Sequence, residues 1–384
     1  MAFVAILPPA FEICAMKIPT FARYGLALSL STCLLSTVTW ATPLADRLER
    51  PSRLTAKAQQ APLLDVQPLA DRLVMVGADG HILVRKADGR VDQAKVPVDL
   101  LLTAVHFVDD QYGWAVGHDG VVLHSDDGGA SWARQLDGKT INALMLEWAQ
   151  GEVERLQAAP TADEQALEIA RFTLDDISAG AEAGPSRPLL DVWFRNAREG
   201  WVVGAYGTVL HTTDGGSTWA YVASLDNPDR LHLNTVVGLA NGDLLIAGEG
   251  GRLYRQSAGH WQPAQVLTPA SLYKLIQLRD GQVLAMGFGG ALFKSHDDGQ
   301  HWQAATIPSA TSLHGAEQLV DNSVLLTGQA GLLHSKDLLH FRVLQPRNKA
   351  VWLGAAALTD GTLALVGNRG LRLLGREEFK EYLQ

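Results

Sequence analysis

Past residue 33 the chain has no cysteine; its two, Cys14 and Cys33, both stand near the N-terminus. Disulfide staples, thiol catalysis and cysteine-ligated metal are therefore excluded from the rest of the chain, whose stability must come from packing. Positive charge is also short, with 32 Lys and Arg against 41 Asp and Glu and a formal net charge of −9. A chain so balanced does not seek phosphate backbones, so nucleic acid is not an expected partner. There is no phosphate loop and no nucleophile–base pair, and no metal or cofactor site is predicted. What is present is apolar: 47% of residues, with 10 Trp, suffice for a large core.

Residues 1–41 stand apart. Lys17 and Arg23 precede an uncharged apolar stretch from Tyr24 to Trp40, and Thr39-Trp40-Ala41 offers a small-x-small cleavage site. This is the layout of a secretory signal peptide, with residues 1–15 read as a mis-annotated start upstream of Met16. The stretch is short and rich in Ser and Thr for a membrane anchor. Leu30-Ser31-Thr32-Cys33 matches a lipoprotein box poorly, so export without lipidation is predicted. Cleavage would leave a net charge of −10, since Glu12, Lys17 and Arg23 depart with the leader.

The remainder is dominated by Gly-x-x-Gly followed by an apolar run, seven times: Gly77/Gly80, Gly117/Gly120, Gly204/Gly207, Gly248/Gly251, Gly287/Gly290, Gly328/Gly331 and Gly367/Gly370. By subtraction, successive first glycines lie 40, 87, 44, 39, 41 and 39 residues apart. A recurrence of roughly 40 residues is the length of one four-stranded propeller blade. The clearest unit runs from Leu100 to Leu136, and Leu189 to Val222 repeats it closely. The predicted fold is all-β: a seven-bladed β-propeller of four-stranded antiparallel blades over residues 61–374, with one helical insertion. The glycine pairs are read as tight hairpin turns using positive φ.

A second signature occupies the turn between the third and fourth strands. Ser125-x-Asp127-x-Gly129-x-Ser131-Trp132, Thr212-x-Asp214-x-Gly216-x-Thr218-Trp219 and Ser295-x-Asp297-x-Gly299-x-His301-Trp302 share the Asp-box pattern. The carboxylate can accept N–H bonds across the turn, the Gly permits the bend, and the Trp packs beneath it. Because these residues recur on separate blades, they are read as structural staples and not as catalytic or calcium-binding carboxylates.

In an up-and-down blade the Gly-x-x-Gly turns share one face of the ring with the blade-to-blade connections. Asp79, Asp119, Tyr206, Glu249, Phe288, Gln329 and Arg369, which lie between the glycines, are therefore the candidate partner-binding rim, placed near the channel mouth. The interval of 87 residues holds an insertion over residues 141–188, with nine acidic and three basic side chains. Thr161-Ala-Asp-Glu164 is read as a capping box opening its second helix. The insertion should sit on the Gly-x-x-Gly face as a lid or docking element, in preference to a solvated decoration, and its deletion is expected to leave a folded ring. For ring closure the N-terminal segment 42–60 is favoured as the missing strand, the tail 375–384 being the other choice.

Asp-boxes also occur in glycoside hydrolases, but no carboxylate pair or arginine cluster of the kind those reactions need is legible. His124, His211 and His334 recur at one third-strand position, so they fan outward and do not converge on a metal. Catalysis is not predicted; a sialidase-like hydrolase or glycan-binding module is the alternative. The motif at Gly113–Trp132 and Gly200–Trp219, with weaker copies over residues 61–374, resembles the photosystem II stability/assembly factor family. That resemblance implies an exported, monomeric, non-enzymatic scaffold for a membrane protein complex, without cofactor or small-molecule substrate. The family's photosynthetic members present an arginine-rich patch, whereas the best-placed basic residues here are Arg252 and Arg369. Relatives in proteobacteria accompany exporters of the resistance-nodulation-division (RND/MMPL) type. By that analogy the partner is an envelope transporter and the location the periplasm of a Gram-negative bacterium.

Overall fold

Consecutive strands pair antiparallel into seven sheets, each laid down in chain order from first strand to last. The structure, a computed structural model, describes residues 46–161, 163–344 and 350–383; the signal-peptide assignment lies outside them. The first strands are Leu63–Pro68, Leu102–Phe107, Leu189–Phe194, Leu233–Gly238, Leu272–Gln277, Leu313–Gln318 and Trp352–Ala357. Each packs against the first strands of both neighbours, and that of blade seven packs on that of blade one. The sheets thus close into a ring around a channel, and the chain is the all-β seven-bladed propeller its repeats predict.

Second strands are the most deeply buried, as in Gly113–Gly117 and Gly200–Gly204, where every residue is buried. They are flanked in-plane by two strands and covered on both faces by adjacent blades. This is why they read as unbroken apolar runs, without the alternation of a half-exposed strand. Seven apolar clusters fill the seven blade-to-blade joints among the described residues. The closing joint is one of them: Ala356, Ala364 and Val366 of blade seven pack with Leu63, Leu73, Met75 and Leu83 of blade one.

The second glycine of each pair takes the positive φ its sequence predicts, from 64° at Gly251 to 100° at Gly331, but the first has another role. The first glycine of each pair is extended, as at Gly117 with φ −175°. It is glycine because a Cβ there would come within 2.0–2.4 Å of the carbonyl oxygen of the residue preceding that blade's first strand. The next residue donates its N–H to the same carbonyl, as Ala78 does to Pro62 at 2.9 Å and Glu249 to His232 at 2.8 Å. Positive φ belongs to the later positions, for example Asp119 at 54° and Gly120 at 69°.

Blade seven corrects the closure prediction. It has three strands, and residues 46–60 supply none; they form two 3-10 turns, Arg47–Glu49 and Ala58–Gln60. The second of these lies against the outer strand Gly370–Leu374, where a Cβ on Gly370 would meet the Gln59 carbonyl at 2.0 Å. The tail is not a strand either but a helix, Arg376–Leu383, whose Phe379 is buried in the joint between blades six and seven. Ring closure therefore rests on apolar contact between blades, without a shared sheet.

The insertion is helical, α1 over Gly138–Gln157 and α2 over Glu164–Glu182. Asp137 caps α1 by accepting from Lys139 and Thr140 N–H, at 3.0 and 3.2 Å. The cap of α2 is Asp163, accepting from Ala166 N–H at 3.0 Å, two residues later than the predicted Thr161. Ile141, Met145, Ala149 and Ile177 are buried in the core between blades two and three. The insertion is thus part of that joint, which argues against the expectation that the ring would fold without it.

Candidate protein-binding face and central channel

The insertion does lie on the Gly-x-x-Gly face: a Cβ on Gly120 would meet Gly138 Cα at 2.7 Å. The seven rim residues share this face but not a common state. Tyr206 is 50% and Phe288 58% exposed, and Asp79, Gln329 and Arg369 are exposed as well. Glu249 is half-buried, its Oε2 accepting from His232 N–H at 3.1 Å. Asp119 is 5% exposed and paired with Arg47 at 2.8 Å, so it is not available to a partner. The rim is also not the channel mouth. Gly-x-x-Gly joins second to third strands, one strand away from the axis, whereas first-strand residues such as Thr103, Asn234, Tyr273 and His314 line the mouth.

The chain itself covers part of this face. Residues 46–53 run over blades one and two, held by Lys139 to Asp46 at 2.5 Å and Arg134 to Glu49 at 2.8 Å. Ser52 donates to the Asp79 carbonyl at 2.8 Å. Leu48 is 2% exposed, in the joint between those blades, and its carbonyl accepts from Arg134.

The channel holds charges that sequence reasoning missed. A cavity of about 260 Å³ opens at one end and one of about 500 Å³ at the other. Lys274 Nζ lies 3.6 Å from Asp191 Oδ2. Burial acts against the Lys274 charge, yet Asp191 and Asp65 outweigh it and raise its pKa. Burial raises the pKa of Asp65, pushes Glu317 up to about 7 and holds His106 down to about 4.

These groups answer a need of the fold. The inner edge of every first strand is unpaired, and its N–H groups would otherwise lack acceptors. Asp65 Oδ2 accepts from Val105 at 3.0 Å, Asp191 Oδ2 from Val236 at 3.1 Å, Gln67 Oε1 from Phe107 at 2.7 Å and Glu317 Oε1 from Ala357 at 2.9 Å. Each bond crosses to the next blade. A signal for them was present: Asp65, Asp191, Thr235 and Lys274 all stand third in their first strands.

On the opposite face the Asp-box turns have near-identical hydrogen bonding. Asp127 Oδ1 accepts from Ser131 N–H at 2.9 Å and Oδ2 from its hydroxyl at 2.6 Å, while Gly129 N–H donates to Ser125 Oγ at 2.9 Å. Asp214 does the same with Thr218 at 2.9 and 2.7 Å. Asp297 takes His301 N–H at 2.9 Å and meets its ring Nδ1 at 2.6 Å. The Thr218 hydroxyl and N–H hold Asp214 at a pKa of about 2, and the bond from His301 N–H does so for Asp297. Trp132 and Trp302 donate through Nε1 to Gly129 and Gly299 carbonyls at 3.1 and 3.0 Å. His124 and His211 each pack on the Trp of their own blade, ring centroids 4.9 and 4.5 Å apart, and do not approach one another.

Fold and face together define a seven-bladed β-propeller with an exposed Gly-x-x-Gly rim. Within that class, residues 182–318 match the model of the family described as photosynthesis system II assembly factor YCF48. The chain is 35% identical over 99 residues to photosystem II assembly protein Ycf48 of Synechococcus sp. strain JA-2-3B'a(2-13), covering 24% of this chain and 28% of that protein. It is 24% identical over 200 residues to photosystem II assembly lipoprotein Ycf48 of Synechococcus sp. strain CC9902, covering 51% and 46%. These alignments span between about a quarter and a half of the length of those curated relatives. A solved structure of YCF48 bound to D1 peptide superposes with a TM-score of 0.56 at 17% identity, covering 82% of this chain and 93% of that one. The resemblance to photosystem II assembly factors that the motifs indicate is thereby borne out. No described helix is long and apolar enough to cross a membrane.

Proposed function

We propose that this protein is a non-catalytic, exported assembly or stability scaffold that captures a protein segment of a membrane complex on its Gly-x-x-Gly face. The observation that carries this reading is the outward arc of that face, where Tyr206 of blade three and Phe288 of blade five stand exposed. Exposed aromatics of this kind anchor protein interfaces. The relatives support it through their names as assembly proteins, one of which was solved with a peptide bound.

The Asp-boxes serve as turn staples and the channel carboxylates as acceptors for edge-strand N–H groups. A carboxylate engaged in that way is a poor nucleophile or general base, which disfavours the hydrolase alternative. In its narrower form the client is an envelope transporter of the RND/MMPL type, met by a monomeric propeller in the periplasm after removal of residues 1–41. Affinity purification from the native envelope with mass spectrometry tests both levels. A membrane-complex subunit should be recovered with the wild-type chain and lost with Tyr206→Ala/Phe288→Ala at unchanged thermal stability. Recovery unaffected by that pair would move the binding surface elsewhere, and turnover of a glycoside by the purified chain would sink the scaffold reading.

A further inference from the structure

Blade seven stops one strand short, so the outer edge of Gly370–Leu374 has no strand beside it among the described residues. Its inner edge pairs with Leu363–Gly367 in unbroken register. Blades one, three and five show what is missing. In each, the third-strand residue opposite the one before the first glycine turns its carbonyl outward to a fourth strand. Ile82 accepts from Ala94 N–H at 2.8 Å, Val209 from Val222 at 2.9 Å and Leu292 from Ala305 at 2.8 Å. The corresponding residue of blade seven is Leu371, opposite Val366. Bond direction alternates along a strand, so Leu373 also turns its carbonyl and N–H outward. No backbone hydrogen bond among the described residues reaches either residue from that side.

The chain's own described ends do not fill the gap. Helix Arg376–Leu383 packs through Phe379 into the joint with blade six, and the 3-10 turn Ala58–Gln60 lies at the Gly370 end. The edge lacks the usual blunting: it has no proline and no bulge, and its charge, Arg372, is paired with Glu378 at 2.8 Å. Leu373 is 38% exposed. The sister blades also define the residue that belongs opposite Leu371. It is Ala94, Leu136, Val222, Ala305 or Leu344 in blades one, two, three, five and six, packed in the joint with the next blade. Blade four has Gln265 there. In blade seven the corresponding joint offers Val91 and Leu371, both partly buried. A second copy pairing antiparallel over Leu371–Leu373 would set Arg372 against Arg372, whereas opposite charges across a pair are favourable.

We propose that an extended segment of a partner polypeptide adds antiparallel to Leu371–Leu373 as the fourth strand of blade seven. Main-chain bonds to Leu371 and Leu373 supply the affinity. An acidic residue opposite Arg372, followed by an apolar residue opposite Leu371, supplies the selection. This surface lies on the outside of the ring and does not rest on the reading of the Gly-x-x-Gly face.

The test titrates the full chain by calorimetry with acetyl-Thr-Val-Glu-Leu-Thr-amide, and with versions N-methylated at Leu or at Glu. In the added strand the Leu N–H faces the Leu371 carbonyl and the Glu N–H faces away. N-methylation at Leu should therefore weaken binding by about tenfold or more, and at Glu by less than about threefold. Leu373→Pro removes an outward N–H and spares the ladder to Leu363–Gly367. It should weaken the parent peptide by about tenfold or more, and Leu373→Ala should not. If the proline variant does not fold, the methylated pair still decides. No binding, equal losses at the two N-methyl positions, or full binding to a folded Leu373→Pro would overturn the added strand. So would a concentration-dependent dimer of the free chain that Leu373→Pro dissolves, which gives the edge to a second copy. Binding that appears only once residues 1–45 are removed gives the edge to the chain itself and overturns it as well. Tyr206→Ala/Phe288→Ala should leave peptide binding unchanged, so loss of client capture in that variant bears on the scaffold reading alone.

Discussion

In blade two the Gly-x-x-Gly turn lies under the chain's own segments and Asp119 is 5% exposed, whereas in blade five the same turn places Phe288 outward, 58% exposed. Both regions have one backbone plan, down to the carbonyl that meets the first glycine: Leu101 at 2.2 Å from a Cβ on Gly117, and Ser271 at 2.0 Å from one on Gly287. What differs is what was laid over them. Residues 46–53 and α1 bury Asp119 and Leu48 on one side. The other has no such cover among the described residues around Phe288, Gln329 and Arg369. A repeat therefore sets where a face is, and the segments between repeats set whether it is open.

The covered region can be broken first. Met145→Ala and Leu48→Ala each remove a fully buried side chain from a joint between blades and should cost about 2–5 kcal/mol. Phe172→Ala, at the 75% exposed outer side of α2, should stay within about 0.5 kcal/mol. Chemical denaturation measures all three, and equal effects at positions 145 and 172 would mean that the insertion is not part of the core. Deletion of residues 141–188 should abolish cooperative unfolding for the same reason.

The shared backbone plan can be broken next. Gly117→Ala in the covered region and Gly287→Ala in the open one should each cost about 1–3 kcal/mol, because both press a methyl group into a carbonyl oxygen. Values differing by more than that range, with the open side tolerant, would show that the turns are not equivalent.

The channel serves both regions alike. Glu317 has a folded pKa of about 7 against an ordinary 4.5. The native state therefore holds a proton that the unfolded chain has released, and stability falls as pH rises from about 4.5 through 7. Well above pH 7 the buried charge costs about 3 kcal/mol. Glu317→Gln, which can still accept from Ala357 N–H, should flatten that decline and be the more stable form at pH 8, with little gain at pH 4. Thermal melts across that range check it, and parallel pH profiles for the two proteins would remove Glu317 as the cause.

Much of this was legible in the residues. The seven glycine pairs located every second-to-third-strand turn, because a turn that must admit a carbonyl at 2 Å tolerates no other residue. The three Asp-box turns have the bonds their spacing implies, since Ser, Asp and Gly act within a few residues of one another. Asp119 misled, because a turn position predicts the face but not an Arg47 brought over it from 72 residues away. The channel set was missed for a related reason. Nothing in the sequence around Asp65 or Glu317 shows that their acceptor oxygens reach the neighbouring blade.

By itself the sequence determined what is local and periodic: blade count, strand order, the turns, and the place of the insertion along the chain. Those features depend on contacts within one repeat or between adjacent ones, and a repeat writes them out again each time. Only the tertiary structure decided which rim residues are open and how a three-stranded seventh blade closes the ring. Each of these depends on segments distant in the chain meeting at one place, where burial and charge are set by whatever arrives there.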